Sequence, residues 1–519
     1  MSSRTKAPQH RGVTVGAIAV VVLVVAGIAA WWGPTLVHAV AGQERALWVV
    51  GFASIAIAGA ACLRLFSIDS KNRQVDTSGT RMAIAVGTSV ALSLGAFAYL
   101  ATSGYYRAHI YNEDAMTVVE EQVPDYADRV PYDVALSTAS RNLQNTTGDL
   151  KSPKFLADAG TNGEWNALIT RRGFATGYES VQVSQIPNYG LGQAKDVSFC
   201  QFPEGEQMQW NGGMWWNSLK RSLYSQTSPS VRVSDGSVYA YCQGDTPVVV
   251  MPLQRTEGFW VTHEVPFGVA TYSDGKIQIL TDSADIAEIP GPTNPQDLVA
   301  AQRKALAATG SLWDYVFDRS GWYASDSDGG STQVDSEGKE TTRYNNPSEI
   351  QLSRENGGSD FVTPLTPPGS SESIVGVSVS NAKMTTPGKL EPIVVHTYAN
   401  GNTRSANSAV SDNIKSQYST LSAWANGMQV YEIVPQADGN WVASIGQQQS
   451  VVYRAIITRE GTITLHTATG VVSEGASGAT NADDGSVVGS VSTGVDVSSL
   501  TDEELTQLIK DAADELASR

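Results

Sequence analysis

No Asp, Glu, His or Lys falls within any of the three long apolar runs near the start of this chain, residues 13–32, 46–66 and 82–101. Proton relays and transport paths need such groups at membrane depth, so the runs read as an anchor rather than a conduit. The short signatures of catalysis are missing too: there is no G-x-S-x-G, no H-E-x-x-H, no C-x-x-C and no phosphate-binding loop. Basic charge is scarce, with 35 Lys and Arg against 52 Asp and Glu and a net charge of −17. That balance argues against nucleic acid, anionic lipid or polyanionic wall polymers as the main partner, and it serves to keep an exported domain soluble. Only three cysteines and six scattered histidines occur in 519 residues.

What is present begins with the runs themselves. Residues 82–101 read MAIAVGTSVALSLGAFAYLA without a charge. At ~1.5 Å per residue they match the ~30 Å hydrocarbon core of a bilayer. Arg4, Lys6 and Arg11 precede the first run, and Lys71, Arg73 and Arg81 lie between the second and third; the loop between the first two has only Arg45 beside Glu44. The positive-inside rule then puts the N-terminus and the second loop in the cytoplasm and everything after residue 101 outside. Trp31, Trp32, Trp48, Tyr99, Tyr105 and Tyr106 all fall at the outer interface in this arrangement, and Arg64 can snorkel at the inner one. A cleaved signal peptide is the other reading of the first run, which is long for one. Gly87, Ala91 and Gly95 continue a small-residue stripe from Ala83. Such a stripe is a packing face for a homo-oligomer or a membrane protein partner, or the chance product of an Ala-rich helix.

Charge divides sharply at this point. Residues 1–102 hold eight Lys and Arg against three Asp and Glu, a net of +5, so the remainder carries −22. Within that remainder, 131–143 reads as a helix opened by proline. Residues 177–185, 196–202 and 238–242 read as strands. Residues 247–253 are a nearly continuous apolar run, a strand buried on both faces. Asp274-Gly275 between two alternating runs marks a hairpin. Asn294 is the expected N-cap of a helix with Pro295 at its first position and Gly310 at its stop. Strands at 373–380 and 393–398, a helix at 405–424 and four short strands at 428–434, 441–445, 451–458 and 462–466 complete the pattern, the last four as an antiparallel meander. The fold class expected is therefore a membrane-anchored α+β protein: a three-helix transmembrane module over 1–105, then a large mixed extracytoplasmic region with antiparallel sheets. That region divides into an α+β domain over 106–345 and a smaller one over 346–470.

Residues 471–498 are rich in Gly, Ser, Ala and Asp and read as a flexible linker. After it, Thr501 and Glu504 form a capping box, and Leu505, Leu508, Ile509 and Leu516 make one apolar face on a helix over 499–519. A helix this short needs a surface to lie on, either a partner protein's groove or its own domain.

Candidate site residues are few. Cys200 and Cys242, exported together, are expected to form a disulfide. Trp210, Trp215 and Trp216 between them form a candidate binding cluster for sugars or a protein partner, and are equally ordinary core material. His263-Glu264 has no third catalytic partner, so a structural role is expected. Asp326, Asp328 and Asp335 fall in a calcium-loop register, but Ala324 stands at its first position and the final Glu is replaced, so no metal is expected there. No cofactor and no catalytic residue is assigned.

The succession YAYCQGDTPVVVMPL, FGVATYSDGKIQIL, IPGPTNPQDLVAAQRKAL, NPSEIQL and FVTPLTPPGSSESIVGV resembles a group of uncharacterised integral membrane proteins of actinobacteria and their bacteriophages. The resemblance implies an envelope with one cytoplasmic membrane and an exterior facing the cell wall, and it carries no active-site residue with it. The function expected is that of a non-catalytic binding or assembly protein held outside the cytoplasmic membrane. The alternative is a cell-envelope hydrolase with carboxylates that the sequence does not single out.

Overall fold

The computed structural model describes residues 102–472 with short breaks (121, 144–147, 152, 160–162, 173–176, 187–189, 192–195, 211–216, 326–331, 335–339, 343–349, 356, 370–372, 399–402, 422–423, 425–426, 448–449 and 468–469) and, before them, Thr35, Val37, His38, Gly87, Gly95 and Tyr99. The three expected spans therefore lie outside the described residues, apart from Gly87, Gly95 and Tyr99, which are helical. Among the described residues no helix is long and apolar enough to cross a membrane. The linker beyond residue 472 and the helix expected over 499–519 also lie outside the described residues.

The described region opens on a helix over residues 102–115, which passes directly into the strand Met116–Val119. Tyr105, Ala108, Tyr111 and Ala115 recur at three- and four-residue steps and so share one face. That face packs on Leu298, Ala305 and Ala308, with Val265 and Leu390 in the same cluster. Polar bonds fix it further. Asn112 Nδ2 donates to the carbonyls of Ala305 at 2.9 Å and Ala308 at 3.4 Å, and Arg107 Nε donates to the carbonyl of Thr262 at 2.7 Å. The helix is thus built into the fold rather than tethered to it.

Mixed α+β architecture with antiparallel sheets is what the chain adopts. The central sheet runs in the order Met116–Val119, Ile393–Thr397, Gly376–Asn381, Ser359–Thr366, Tyr323–Ala324, with Ile350–Ser353 also paired to Ser359–Thr366. Its first pair is parallel, Met116 opposite Ile393, and the other strand ladders among the described residues are antiparallel. The boundary expected between residues 345 and 346 is crossed by this sheet. Residues 116–119 and 323–324 from before it are hydrogen-bonded to 393–397 and 359–366 from after it. A Pro/Gly-rich stretch reports a local break in regular structure; it carries no information on which strands pair across it.

Two five-stranded sheets form the other large core. In one, Glu164–Thr170, Tyr178–Gln185 and Asp196–Gln201 lie side by side. In the other, a long hairpin of Thr246–Glu257 and His263–Ser273 dominates, flanked by Val231–Val233, Tyr239–Gln243 and Lys276–Leu280. The apolar run at 247–253 is buried throughout, as its composition requires. Asp274 (φ 48°) and Gly275 (φ 71°) both take positive φ, which a two-residue hairpin turn needs. Cys200 and Cys242 are disulfide-bonded, with Cα atoms 5.9 Å apart, and the bond joins the two sheets. A 42-residue separation gives a chain-entropy stabilisation of roughly 4 kcal/mol.

The meander forms as expected from Gln429–Pro435, Trp441–Gln447, Ser450–Ile457 and Ile463–Thr467, with a further short strand Gly470–Val472. Val410, Ile414, Tyr418 and Leu421 pack on it in one cluster with Val430, Ile445 and Leu465. The helix beneath is shorter than expected, Asn407–Gln417 rather than 405–424. The Tyr418 carbonyl accepts from the Leu421 N–H and from Trp424 Nε1, so it is not free to continue the helical ladder.

The helix expected to start at Asn294 also differs in detail. It spans Gln296–Ala305, with Pro295 at the cap position. Asn294 is buried, and its Nδ2 donates to the carbonyl of Asn381 at 2.9 Å, tying the segment to the central sheet. The capping oxygen comes from a distant residue: Ser237 Oγ accepts from the Gln296 N–H at 2.8 Å. At the other end the helix tightens into a 3-10 turn, Leu306–Ala308, before Gly310. Asn112 and the Trp322 N–H take up the last carbonyls there.

Candidate functional site

A cavity of about 550 Å³ lies between the sheet of Glu164–Thr170, the start of the helix Gln296–Ala305 and the edge of the central sheet. Its floor is apolar and aromatic: Phe155, Trp165, Tyr178, Trp210 and Phe361 line it, and all five are buried. Its rim is polar, with Lys151, Lys154, Asp235, Asn294, Gln296 and Asp297. Apolar walls with a few convergent polar groups are the usual composition of a small-molecule site.

Each wall is held by an identifiable interaction. Arg129 is buried and crosses between Phe155 and Trp165, with its guanidinium carbon 5.7 and 5.3 Å from the two ring centroids. Its N–H groups are engaged by the carbonyls of Gln351 (2.7 Å) and Val130 (2.8 Å) and by Glu432 Oε2 (3.0 Å). Glu432 in turn accepts from the Tyr132 N–H at 2.9 Å. Burial pushes the Glu432 carboxyl above the usual range, and Arg129 and the Tyr132 N–H work against that push. Arg129 therefore arrives with its charge matched, as a buried guanidinium must.

On the opposite wall, Trp210 Nε1 donates to Asp235 Oδ1 at 2.5 Å, and Lys220 stands 3.4 Å from the same oxygen and 5.3 Å from the Trp210 ring. The Trp210 N–H donates to Tyr178 Oη at 3.2 Å. Burial takes the Tyr178 phenol to about 12, so it stays protonated at neutral pH. Lys154 Nζ donates to Gln296 Oε1 at 2.8 Å across the rim. Asn294 Oδ1 is buried and has no hydrogen-bond partner among the described residues. A buried acceptor left unpaired is costly, and a ligand hydroxyl or amide in this cavity would satisfy it.

The residues expected from sequence meet this site in part. Cys200 and Cys242 are bonded as expected and brace the sheet behind it. Trp210 is core material of the cluster that includes Leu219, Leu223 and Met251, and it also lines the cavity. Trp215 and Trp216 lie outside the described residues, as do Asp326, Asp328 and Asp335, the partner-helix residues Leu505, Leu508, Ile509 and Leu516, and Ala91. Gly87 and Gly95 are exposed, with nothing within 4 Å of where a Cβ would stand. His263 packs edge-on against Tyr111, and Glu264 forms an ion pair with Arg232, a structural setting for both. Among the described residues no group of His, Cys, Asp and Glu could hold a metal ion.

Arg129, Trp165 and Asp235 escape the sequence reading, and Asn294 and Asp297 enter it only as helix-start residues. Asp235 and Gly236 belong to a short 3-10 turn, Asp235–Ser237, and Asp297 to a helix start, local settings that do not announce a shared cavity. Asp297 Oδ1 lies only 3.4 Å from where a Cβ on Gly236 would stand, which is a contact across 61 residues of chain. No family model matches this chain, and neither a curated protein nor a solved structure matches it.

Proposed function

We propose that this chain is a membrane-anchored, extracytoplasmic binding protein of the cell envelope that holds a neutral, amphipathic ligand, a glycan segment, in the cavity without turning it over. The observation that carries the binding reading is the cavity itself, with its aromatic floor and amide and carboxylate rim. Pyranose rings offer apolar faces to such floors and hydroxyls to such rims. Charge on the lining is nearly balanced: Arg129 is paired with Glu432, and Lys151 and Lys154 offset Asp235 and Asp297. A strongly charged ligand would meet no matching field.

The anchored topology is supported by His38, which falls in the loop between the first two apolar runs. Its ring stacks on Tyr224 at 4.1 Å, and its nitrogens lie 2.7 and 3.0 Å from the carbonyls of Val231 and Tyr224. That loop and the large domain would then share one side of the membrane, as the positive-inside rule expects. The likeness to integral membrane proteins of actinobacteria and their phages belongs to the same reading. So do an oligomeric or membrane partner at Gly87, Ala91 and Gly95 and a protein partner for residues 499–519.

The test is calorimetric titration of the full chain in lipid nanodiscs with a β-linked N-acetylglucosamine oligosaccharide. Saturable binding is expected, and Asp297→Ala and Gln296→Ala should weaken it at least tenfold without moving the melting temperature. Absence of binding by the unaltered chain refutes the glycan reading. A second reading, an envelope hydrolase, rests on Asp235 and Asp297 sharing one rim, since glycoside hydrolysis uses two carboxyl groups flanking the bond. Release of new reducing ends, lost in Asp235→Asn and Asp297→Asn, would favour it.

A further inference from the structure

Among the described residues, most of the large apolar side chains that remain exposed gather in one place. Apart from Val37 and Val118, the exposed large apolar side chains among these residues are six, Phe259, Trp260, Trp313, Val316, Phe317 and Tyr106, with Trp260 at 62% and Trp313 at 67%. All six gather where the helix 102–115 begins. Tyr99 Oη donates to the carbonyl of Trp260, and Arg107 Nε to that of Thr262, so the tip of the long hairpin lies against one side of that helix. On another side, Tyr105 Oη donates to the carbonyl of Gly310 at 3.1 Å, and the Tyr105 and Tyr315 rings are 5.7 Å apart. The short helix Leu312–Val316 therefore stands beside the same turn, and none of its residues is buried. Phe259 and Trp260 meet edge to face at 5.3 Å; Trp313 and Phe317 stack at 6.1 Å, with Arg319 5.0 Å above the Phe317 ring.

Exposed patches of this kind mark a surface that is covered in use. The height of these two identifies the cover. The charge-free run ends at residue 101, and the six-residue separation of Tyr99 and Tyr105 would amount to only ~9 Å along a helix. The headgroup layer on each face of a bilayer is about 5–8 Å thick, and Trp and Tyr are enriched there because one edge of the ring is apolar and the other polar. A layer of that depth above residue 101 would take in both aromatic pairs, which lie on separate segments flanking the helix 102–115. A cation beside an aromatic ring, as Arg319 is beside Phe317, suits lipid phosphates at the same level.

We infer that the domain is seated on the outer leaflet, with Phe259 and Trp260 on one side of the emerging helix and Trp313 and Phe317 on the other inserted into the bilayer interface, so that three points fix its orientation. The inference rests on the membrane-anchored reading above and adds to it a defined contact between domain and lipid. The sequence places none of these four residues near a membrane, since they lie 158 to 216 residues beyond the run that ends at residue 101.

The test uses the full chain carrying Cys62→Ser, reconstituted into phosphatidylcholine–phosphatidylglycerol vesicles, with a nitroxide attached at Trp260→Cys, Trp313→Cys, Asp438→Cys or Ala91→Cys in turn. Power-saturation measurements with oxygen and with a water-soluble nickel chelate are compared at each site. Probes at 260 and 313 should collide more often with oxygen than with the chelate, as should the probe at 91, while the probe at the exposed turn residue 438 should do the reverse. Chelate-dominated signals at 260 and 313 together with an oxygen-dominated signal at 91 would overturn the seat and leave the anchor standing. A chelate-dominated signal at 91 would overturn the anchor, and the seat with it.

Discussion

Replacing Arg129 by Met separates the two partners of a buried ion pair, and its cost can be worked from the surroundings. Both side chains are 5% exposed, and among the described residues Glu432 would be left with one N–H donor, that of Tyr132. Removing one partner of a buried pair costs about 3–5 kcal/mol, because the remaining charge is stranded. At ~2.1 cal/mol/K per residue, a unit of about 370 residues has an unfolding entropy of roughly 0.8 kcal/mol/K, so the melting temperature should fall by about 4–6 °C. The double variant Arg129→Met, Glu432→Leu should recover most of that loss, since buried pairs exchanged for apolar residues are often neutral. Acidity should also rescue the single variant. Burial already raises the Glu432 carboxyl, and losing Arg129 removes a group that lowers it, so the folded form binds its proton more tightly than the unfolded form does. A folded-state pKa above the unfolded one gives stability that is fully present below the unfolded value and is lost as pH rises through the folded one. The deficit of Arg129→Met should therefore shrink between pH 7.5 and pH 5. Differential scanning fluorimetry on the three variants at both pH values measures all of this. A single variant within 1 °C of the parent, or a double variant no better than the single, would refute the reasoning.

Three further outcomes are expected, the first from the structure and the other two from the anchored reading and the composition of the tail. Digestion under non-reducing conditions should release Cys200 and Cys242 in one linked peptide, and recovery of both as free thiols from fresh material would contradict the bond. In intact cells a cysteine at Ser78 should resist a membrane-impermeant maleimide while one at Ser477 labels, and the reverse pattern would invert the topology. Deleting residues 471–519 removes Val471 and Val472 of the last short strand and a Gly/Ser/Ala/Asp-rich stretch whose composition is expected to add little burial, so the melting temperature should move by no more than about 2 °C. A much larger drop would mean that the tail helix docks on its own domain and not on a partner.

Local chemistry was legible in the sequence and long-range assembly was not. Asp274-Gly275 specifies a hairpin because few residue pairs accept two positive φ values, and the hairpin is there. The meander and the buried strand at 247–253 follow from side-chain alternation and its absence. The disulfide followed from compartment and parity rather than from geometry. By contrast, the cavity draws on Arg129, Trp165, Asp235, Asn294 and Phe361, which strands, loops and a 3-10 turn far apart in the sequence bring together. Asn294 is the instructive case. Its position before Pro295 fits an N-cap, yet its side chain is committed to Asn381, and Ser237 supplies the capping oxygen. A motif states what a residue can do locally; tertiary partners decide whether it does. The helix over 102–115 is hard to see in the sequence for another reason. Its Tyr105, Ala108, Tyr111, Ala115 spacing is a helical face, but small and aromatic residues among polar ones give a weak apolar signal.

Under the anchored reading, that helix also makes the cavity and the anchor one device. The helix Gln296–Ala305 contributes Gln296 and Asp297 to the cavity rim at one end, and Ala305 to the packing against residues 102–115 at the other. It is ten residues long, so about 15 Å of hydrogen-bonded backbone joins the two. A flexible tether would let a binding cleft face any direction and would add the cost of ordering it whenever a fixed target is engaged. Here the Asn112, Arg107 and Tyr105 bonds remove that freedom in advance. Under the anchored reading, a ligand in the cavity is held at a set height and angle above the bilayer. Pre-orientation of that kind matters for a target that is itself fixed, such as a wall polymer, and contributes nothing for a freely diffusing one.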